Sequence, residues 1–517
     1  MHYESSESFE VCVLPDCVSA VRVVHAVLGG HCRRQLFHES RSSSVEYVCS
    51  VLQGVTDMKL FPHQQDALNA TEGQNRVAYY LDMGLGKTFV GAEKAVRMAS
   101  KVNLVVCQKS KVQDWIDHFV DHYELSEKAM IYDLTAWKKD DWEAFRQDPE
   151  FKSDWHDADK YVLVINYDLI WRRKQILNLK DFTLILDESS LIQNQGSKRT
   201  KFILRLNPTN VILLSGTPTG GKYENLWSQL HLLGWDISEK VYNAHYVNWK
   251  KLKVFDPTMG CSRIRKIVDK ENPYRNVERL KQKMRDHGAV FMKTEEVFDL
   301  PNQNFIQINV PTTKEYRKFK KDHLITIDTV NLCEFKDDSD FYGKDTTPRI
   351  ELVGDSILSY RLYQRQLCTA YNPNKLDAFK DLLDSTQDRL IVFYSFNCEL
   401  EALQKICENR DRPVSMVNGS VKDLNAYEQE SNSVTLVQYQ AGAMGLNLQK
   451  ANKIVYFSLT EESELFEQSK KRIHRIGQEK PCFYYILICQ NSIEDQEILP
   501  TLNIRKERTD DLFEEST

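Results

Sequence analysis

The chain has 517 residues, of which 42% are hydrophobic and 27% charged, and its formal net charge is −6. This length exceeds one hydrophobic core, so we expect about two to four domains of ordinary globular composition. No apolar run approaches the roughly 20 residues that a membrane-spanning helix needs, so no membrane partner is expected. The acidic first residues, MHYESSESFE, lack a secretory signal pattern. The twelve cysteines form no C-x-x-C pair and are expected to be reduced thiols.

The N-terminal segment predicts a small α+β module over residues 1–55. Its pattern indicates a strand (FEVCVL), a helix (CVSAVRVVHAVL, residues 17–28), a serine-rich break and a further strand (VEYVCSVL) that ends near Gly54. The sequence gives this module no role beyond offering a surface to a protein partner.

From about residue 58, short β-rich runs alternate with helix-forming sequence. The runs are VAYYL, NLVVC, YVLVIN, FTLILD and NVILLS and, after a long charged stretch that we interpret as helical, RLIVFYS, VTLVQY, KIVYFS and CFYYILI. Such alternation predicts parallel sheets covered on both faces. We therefore expect an α/β fold with two lobes. Lobe 1 covers 56–300 with a helical protrusion at about 233–290, and 301–517 contains a helical insertion at about 311–388 and lobe 2.

The stretch LDMGLGKT carries half of a phosphate-binding motif. Gly86-Lys87-Thr88 matches the end of G-x-x-x-x-G-K-[ST], whereas Leu81 occupies the position of the first glycine. A tight turn would explain Gly84 and Gly86 but not the Lys-Thr that follows. Because a strand precedes this loop and a helix follows it, we expect Lys87 to reach the β- and γ-phosphates and Thr88 to hold Mg²⁺.

An acidic pair at the end of an apolar strand fits the same chemistry. FTLILDESS places Asp187 and Glu188 where they could bind Mg²⁺ and polarise an attacking water, although such residues also cap helices. Ser215 and Thr217 of VILLSGTPTGG could sense the pair, or could simply form a turn.

Two arginines near the end of the chain offer a clamp for a phosphate. Arg472 and Arg475 of RIHRIGQ are spaced i, i+3 on an expected helix, so both would project from one face. Guanidinium groups suit a γ-phosphate, whereas the alternative is an ordinary solvated helix.

In order from about residue 58 to residue 495, these motifs resemble the Swi/Snf-type ATPases of helicase superfamily two, in a compact viral or bacterial form. LFPHQQDAL resembles the adenine-side motif, and DMGLGKT is the family's own phosphate loop, which lacks the first Walker glycine. VINYDLI, DESS, SGTPTGG, FMKTEEVFDLP, QYQAGAMGLNLQ and RIHRIGQ resemble successive further motifs.

The resemblance implies two RecA-like lobes with ATP and Mg²⁺ between them, and it assigns roles residue by residue. Catalysis would fall to Lys87, Asp187, Glu188, Arg472 and Arg475, with the arginines acting across the cleft. The implied ATP-binding residues are Gln64, Met83, Gly84, Leu85, Gly86, Lys87, Thr88 and Gly445, with Thr88 and Asp187 as Mg²⁺ ligands. The implied coupling residues are Ser190, Ser215, Thr217 and Gln468. The implied nucleic-acid contacts are Lys109, Ser110, Trp115, Asn166, Ser395, Asn397 and Gln440.

Three positions depart from the family pattern. Ser190 stands where the family usually has histidine, so the coupling of the acidic pair is expected to be altered. Gln108 replaces a usual proline, and Tyr439-Gln440 replaces a Ser-Thr pair.

The function implied by the resemblance is an ATP-driven motor that translocates on double-stranded DNA without obligatory strand separation. Replication, repair, recombination and genome defence are the expected settings. The expected location is the cytoplasm of a bacterium or of an infected host cell, or the nucleus if the source is eukaryotic. Alternatives on the same lobes are a strand-separating helicase and an RNA-directed ATPase, and a non-catalytic scaffold is a further alternative.

Two basic segments stand out against the negative net charge. Residues 250–285 carry twelve Lys and Arg against four Asp and Glu, and KEYRKFKK covers 314–321. Each segment is either a solvated helical face or a surface that follows phosphates.

Overall fold

The computed structural model describes residues 21–28, 31–38, 46–49, 59–123, 130–138, 140–143, 161–256, 261–328, 349–442 and 446–514. Side chains within 21–58 and 254–261 and at residue 263 lie outside this description. The chain divides into two compact units, residues 1–294 with 512–517 and residues 295–511. No helix in the described part of the chain is both long and apolar enough to cross a bilayer.

The first unit is built on a ten-stranded sheet. Its strands are β1 (Val21–Leu28), β2 (His31–His38), β3 (Glu46–Cys49), β4 (Arg76–Leu81), β5 (Val102–Cys107), β6 (Met130–Asp133), β7 (Tyr161–Asn166), β8 (Phe182–Asp187), β9 (Asn210–Leu214) and β12 (Ala289–Met292). The spatial order is β1-β2-β3-β6-β7-β5-β8-β9-β4-β12. All pairs from β6 to β12 are parallel, which confirms the predicted parallel sheet and all five predicted strands of lobe 1.

Helices cover this sheet, and the central strands are buried because both faces are packed. The helices of the first unit are α1 (Pro62–Asn69), α2 (Lys87–Arg97), α3 (Val112–His122), α4 (Tyr167–Ile170), α5 (Lys198–Ile203), α6 (Trp227–Leu232), α7 (Glu239–Tyr246) and α8 (Val277–Asp286).

The N-terminal segment differs from its prediction. A helix is predicted over 17–28, but Val21–Leu28 is a strand that pairs antiparallel with His31–His38. Four valines in these eight residues explain the difference, because β-branched side chains favour strands over helices. Strand β3 pairs antiparallel with β6, so these strands extend the edge of the first sheet, where the sequence predicts a separate module.

The protrusion at about 233–290 is only partly helical. Between α7 and α8 the chain forms an antiparallel hairpin of β10 (Trp249–Asp256) and β11 (Cys261–Val268). The helical interpretation is therefore wrong for residues 249–268, whereas the end of the basic stretch is helical in α8. The physical reason is the alternation of charged and apolar residues in KLKV and RIRKIV, a period of two that suits a strand.

The second unit contains a seven-stranded sheet in the order β13-β21-β20-β16-β19-β17-β18. Its strands are β13 (Gln303–Val310), β16 (Leu390–Tyr394), β17 (Val414–Val417), β18 (Lys422–Asp423), β19 (Val434–Gln438), β20 (Lys453–Tyr456) and β21 (Cys482–Cys489). Every pair except β17–β18 is parallel, which confirms the second predicted parallel sheet.

The insertion predicted to be helical contains helices and a small sheet. The sheet pairs β14 (Leu324–Asp328) with β15 (Arg349–Val353). The helices of the second unit are α9 (Lys314–Asp322), α10 (Ile357–Cys368), α11 (Pro373–Asp384), α12 (Asn397–Glu408), α13 (Asn425–Gln429), α14 (Tyr439–Gly442) and α15 (Ser463–Lys470), and α16 (Leu499–Phe513) ends in the residues that belong to the first unit.

Candidate nucleotide-binding site

The loop between β4 and α2 has the backbone that a phosphate loop requires. Gly86 caps α2 in the left-handed conformation, at φ +75°, and Gly84 has φ +90°. A Cβ on Gly86 would lie 2.1 Å from the amide nitrogen of Gln64, so a side chain there would displace Gln64 and strain a backbone that already has a positive φ. The first backbone N–H groups of α2 are thus presented at a helix N-terminus, where anions bind.

Residues from α1 hold this loop in place. Gln64 is buried, and its amide N–H donates to Leu85 O at 3.3 Å while its Oε1 accepts from the Phe61 N–H at 3.0 Å. The Nε2 atom of His63 lies 3.1 Å from the same Leu85 carbonyl. In this structure Gln64 therefore supports the loop from behind, whereas the resemblance implies contact with adenine.

Lys87 lies among backbone oxygens at the centre of the site. Its Nζ donates to Leu81 O at 3.1 Å and to Asp82 O at 3.4 Å. A Cβ added to Gly216, which follows β9, would lie 3.3 Å from that Nζ. The loop after β9 therefore approaches the lysine closely, and a glycine makes this approach feasible.

The acidic pair lies at the carboxyl end of β8, and its two residues have different partners. The indole Nε1–H of Trp115 donates to Asp187 Oδ2 at 3.0 Å, and the Tyr167 hydroxyl donates to Asp187 O at 3.0 Å. Although Asp187 keeps some accessible surface, packing around its carboxylate raises its pKa; the Trp115 hydrogen bond and the charge of Lys87 oppose that shift. A nearby cation therefore stabilises the charged form of this carboxylate.

Glu188 has an unusual backbone for a residue with a side chain. Its φ is +54° and its ψ is +62°, in the left-handed region that costs free energy for non-glycine residues. The Ser215 hydroxyl donates to Glu188 Oε2 at 3.2 Å and accepts from the Thr217 N–H at 3.2 Å. Ser215 thus links the acidic pair to the loop after β9.

Two other residues expected to couple the sites, Ser190 and Gln468, are described by the structure and do not share the contact that Ser215 makes with Glu188. Ser190 is buried in the short 3-10 helix Ser189–Ile192, and its hydroxyl makes no hydrogen bond to Ser215 or Thr217 within the described residues. Its neighbour Ser189 instead donates to Gln229 at 2.8 Å. Gln468 is buried on α15 in the second unit.

The residues implied to contact nucleic acid divide by exposure. Trp115 and Asn166 are 1% and 3% exposed, so buried side chains occupy two positions where phosphate contacts are expected. For Trp115 the reason is the i, i+3, i+4, i+7 spacing of apolar residues in α3, whose buried face carries Val112, Trp115, Ile116 and Phe119. Ser395 is half-buried, and the exposed members of the set are Lys109, Ser110, Asn397 and Gln440.

The arginines of RIHRIGQ lie beyond the helix on which they are expected. Helix α15 ends at Lys470, and residues 471–477 form turns, so the prediction of one helical face is wrong. The Tyr484 hydroxyl donates to the Lys470 carbonyl at 3.0 Å, which occupies an acceptor that a continuing helix would use. Arg472 is buried and donates to Leu446 O at 3.3 Å, and burial lowers the pKa of Arg475. Gly445 lies outside the described residues.

Two residues of the site are missing from the sequence-based set. Tyr167 fixes the carbonyl of Asp187, as described above. The Thr294 hydroxyl is buried at the end of the first unit and lies 2.9 Å from Asp82 Oδ2 and 3.2 Å from Met83 O. Both are tertiary contacts between distant positions in the sequence, which no local pattern signals.

Two family models match consecutive parts of the chain. The sequence model described as SNF2-related domain matches residues 80–372, and the model described as helicase conserved C-terminal domain matches residues 374–477. The first match covers more than half of the chain, which therefore belongs to the SNF2-related family of helicase-like ATPases.

The curated relatives are distant and longer. The chain is 23% identical over 453 residues to the mouse SWI/SNF-related matrix-associated actin-dependent regulator of chromatin subfamily A member 1, covering 80% of this chain and 39% of the relative. It is 22% identical over 495 residues to the ISWI chromatin-remodeling complex ATPase ISW1 of Saccharomyces cerevisiae, covering 88% and 40%. The chain thus spans about two fifths of the length of these relatives.

A solved structure also aligns with most of this chain. It is the Sulfolobus solfataricus SWI2/SNF2 ATPase core in complex with dsDNA, which aligns with 90% of this chain and 98% of its own at 18% identity. The TM-score of 0.37 is too low for a residue-by-residue correspondence.

Proposed function

We propose that this chain is a Mg²⁺-dependent ATPase that translocates along double-stranded DNA without obligatory strand separation. The observation that carries the proposal is the convergence of three strand ends in the first unit. Lys87 follows β4, Glu188 follows β8, and Ser215 and Gly216 follow β9. The Ser215 hydroxyl lies 3.2 Å from Glu188 Oε2, and a Cβ on Gly216 would lie 3.3 Å from Lys87 Nζ. This is the arrangement that phosphoryl transfer needs, with a cation and a carboxylate held at one edge of a sheet.

The residues present fit ATP with a magnesium ion. The glycine cradle at Gly86 and the N–H groups of α2 suit phosphate oxygens, and Lys87 would neutralise the β- and γ-phosphates. Thr88 and Asp187 supply the oxygen ligands that Mg²⁺ prefers. When bound, Mg²⁺ would neutralise charge that develops on the phosphates. Glu188 would orient the attacking water and accept its proton, while Ser215 fixes the carboxylate.

Support for DNA as the partner comes from the family and from its relatives. The mouse and yeast relatives are named as a regulator of chromatin and a chromatin-remodeling ATPase, and chromatin contains duplex DNA. Four residues implied to contact nucleic acid are exposed and accessible to the phosphate backbone of DNA: Lys109, Ser110, Asn397 and Gln440. A translocating protein cannot depend on base identity, so contacts to phosphates are the expected kind.

The first test is the rate of ATP hydrolysis without nucleic acid and with single-stranded DNA, duplex DNA or RNA. We expect the largest stimulation with duplex DNA, together with displacement of a triplex strand from a blunt duplex. Preferential stimulation by RNA would instead indicate an RNA-directed ATPase. Unwinding of a tailed duplex with as much ATP hydrolysed as in triplex displacement would indicate a strand-separating helicase.

The second test removes the chemistry at single positions. Lys87→Ala should abolish turnover, because within the described loop no other cation is placed to neutralise the β- and γ-phosphates. Glu188→Gln should retain binding of a fluorescent ATP analogue and stall hydrolysis. A rate equal to that of the unsubstituted chain in either variant would contradict the assignment of this site.

A further inference from the structure

The hairpin β10–β11 forms a two-stranded sheet that is not joined to the ten-stranded sheet of the first unit. A lone two-stranded hairpin is marginally stable in water. Its large apolar side chains are nevertheless unusually exposed, with Leu252 at 50% and Ile264 at 71%. The ribbon therefore keeps both of its faces accessible in this structure.

One face of the ribbon concentrates positive charge. The antiparallel register places Lys251 directly opposite Lys266 and Lys253 directly opposite Ile264. Opposite partners share a face, and residues two apart on a strand do so as well. Lys251, Lys253 and Lys266 therefore lie together on one side, which we name the lysine face, and all three are exposed.

Among the side chains that the structure describes, none neutralises this charge. No ion pair joins any of the three lysines to a carboxylate within the described residues. Like charges placed directly opposite each other destabilise an antiparallel pair. The Lys251–Lys266 arrangement thus destabilises a hairpin whose own stability is marginal.

The opposite face provides an internal comparison. There Lys250 forms ion pairs with Asp269 at 2.8 Å and with Glu271 at 3.4 Å. Arg265, opposite Leu252, is a further cation on that face. Adjacent lysines in one strand are therefore neutralised on one side and not on the other, which points to an anionic partner for the lysine face.

We propose that the lysine face binds the phosphate backbone of double-stranded DNA. The choice of DNA as the polyanion rests on the proposed function, whereas the existence of an anion-binding face rests on the hairpin alone. A two-stranded ribbon has dimensions that suit the DNA surface and its major groove. Lys251 and Lys253 are separated by about 6.6 Å along the strand, and each DNA strand carries a charge every ~3.4 Å of helix axis, so both can reach phosphates.

The test is equilibrium binding of the full chain to two blunt duplexes of unrelated sequence, measured by fluorescence anisotropy across a salt titration without nucleotide. The triple variant Lys251→Gln, Lys253→Gln, Lys266→Gln should bind both duplexes on the order of tenfold more weakly, and the log–log salt slope should flatten by about 0.9 for each phosphate that the variant no longer neutralises. The matched control Lys250→Gln should change the affinity by less than about twofold, because this lysine is already paired.

The melting temperature of a variant distinguishes DNA binding from a structural role for the lysines. Lys251→Gln removes a like-charge pair, so the melting temperature should stay the same or rise while DNA affinity falls. A lower melting temperature that accounts for the weaker binding would overturn the inference.

The remaining outcomes separate this inference from the proposed function. If the unsubstituted chain binds duplex DNA and is stimulated by it, yet the triple variant shows the same affinity and salt slope, the lysine face does not bind DNA and the proposed function stands. If the unsubstituted chain neither binds duplex DNA nor responds to it, both fall. Weaker binding confined to one of the two sequences would indicate base recognition and overturn the phosphate assignment.

Discussion

Trp115 is buried beside the acidic pair in this structure. The resemblance implies a nucleic-acid contact, but the indole is buried and its N–H donates to Asp187 at 3.0 Å. A hydrogen bond to a carboxylate fixes its orientation and favours its charged form. Trp115 is thus a positioning residue for the acidic pair.

Replacing Trp115 with Phe should keep the ring packing and remove only the N–H donor and some volume. Removing a hydrogen bond that orients a metal ligand typically costs about 10–100-fold in activity or metal affinity, so we expect the Mg²⁺ concentration for half-maximal ATPase to rise. Trp137→Phe is the matched control, since Trp137 is buried among Tyr132 and Trp142. An equal Mg²⁺ shift in both variants would argue against a specific role for Trp115.

At the scale of elements, the sequence predicts best where one physical signal dominates. The apolar residues of β4 and β8 are bounded by polar residues, and both strands are confirmed. The predictions for the hairpin β10–β11 and the strand β1 are wrong, because high charge and an apparently helical composition obscure the alternation and the β-branching that favour strands. The phosphate loop is predictable from Gly86-Lys87-Thr88, whereas its supports from Gln64 and Thr294 are set by tertiary packing.

A buried ion pair joins helix α11 to the segment after β21 in the second unit. Lys375 Nζ lies 2.8 and 2.7 Å from the two carboxylate oxygens of Glu494, and both side chains are at most 2% exposed. Burial raises the pKa of Glu494, while Lys375 opposes the shift. Removing one member of such a pair leaves a buried charge uncompensated.

Lys375→Met should therefore destabilise the second unit by about 3–5 kcal/mol. All eight tryptophans lie between residues 115 and 249, so their fluorescence reports on the first unit and far-ultraviolet circular dichroism on both. In urea titrations we expect the dichroism transition to move to lower urea while the fluorescence transition stays in place. The double variant with Glu494→Gln should recover part of the stability, and a fluorescence shift of equal size would contradict a local effect.

At the scale of the whole molecule, the chain divides into its two units after Thr294. The first unit ends at Thr294 and regains only residues 512–517, where Arg285 donates to Glu514 O at 2.8 Å and Phe291 contacts Phe513 at a centroid distance of 5.4 Å. The return of residues 512–517 to the first unit has no composition signal, so the sequence alone does not reveal it.

The position of Thr294 yields a prediction about the coupling of ATP use to movement. Thr294→Val keeps the side-chain volume and removes the hydroxyl that contacts Asp82 and Met83. We expect ATP hydrolysis to remain within several-fold of the unsubstituted rate, and triplex displacement per ATP hydrolysed to fall further. Thr294→Ser, which keeps the hydroxyl, should restore that ratio, and an unchanged ratio in the valine variant would count against the idea.

The hydrogen bonds of Thr294 attach the phosphate loop to the start of the connection to the second unit. Thr294 is the last residue before that connection, and its hydroxyl is held by the two residues that precede Gly84. We therefore expect a displacement of the loop backbone to reach Thr294 through these hydrogen bonds. In the proposed ATPase, the connection to the second unit would begin one side chain away from the phosphate loop.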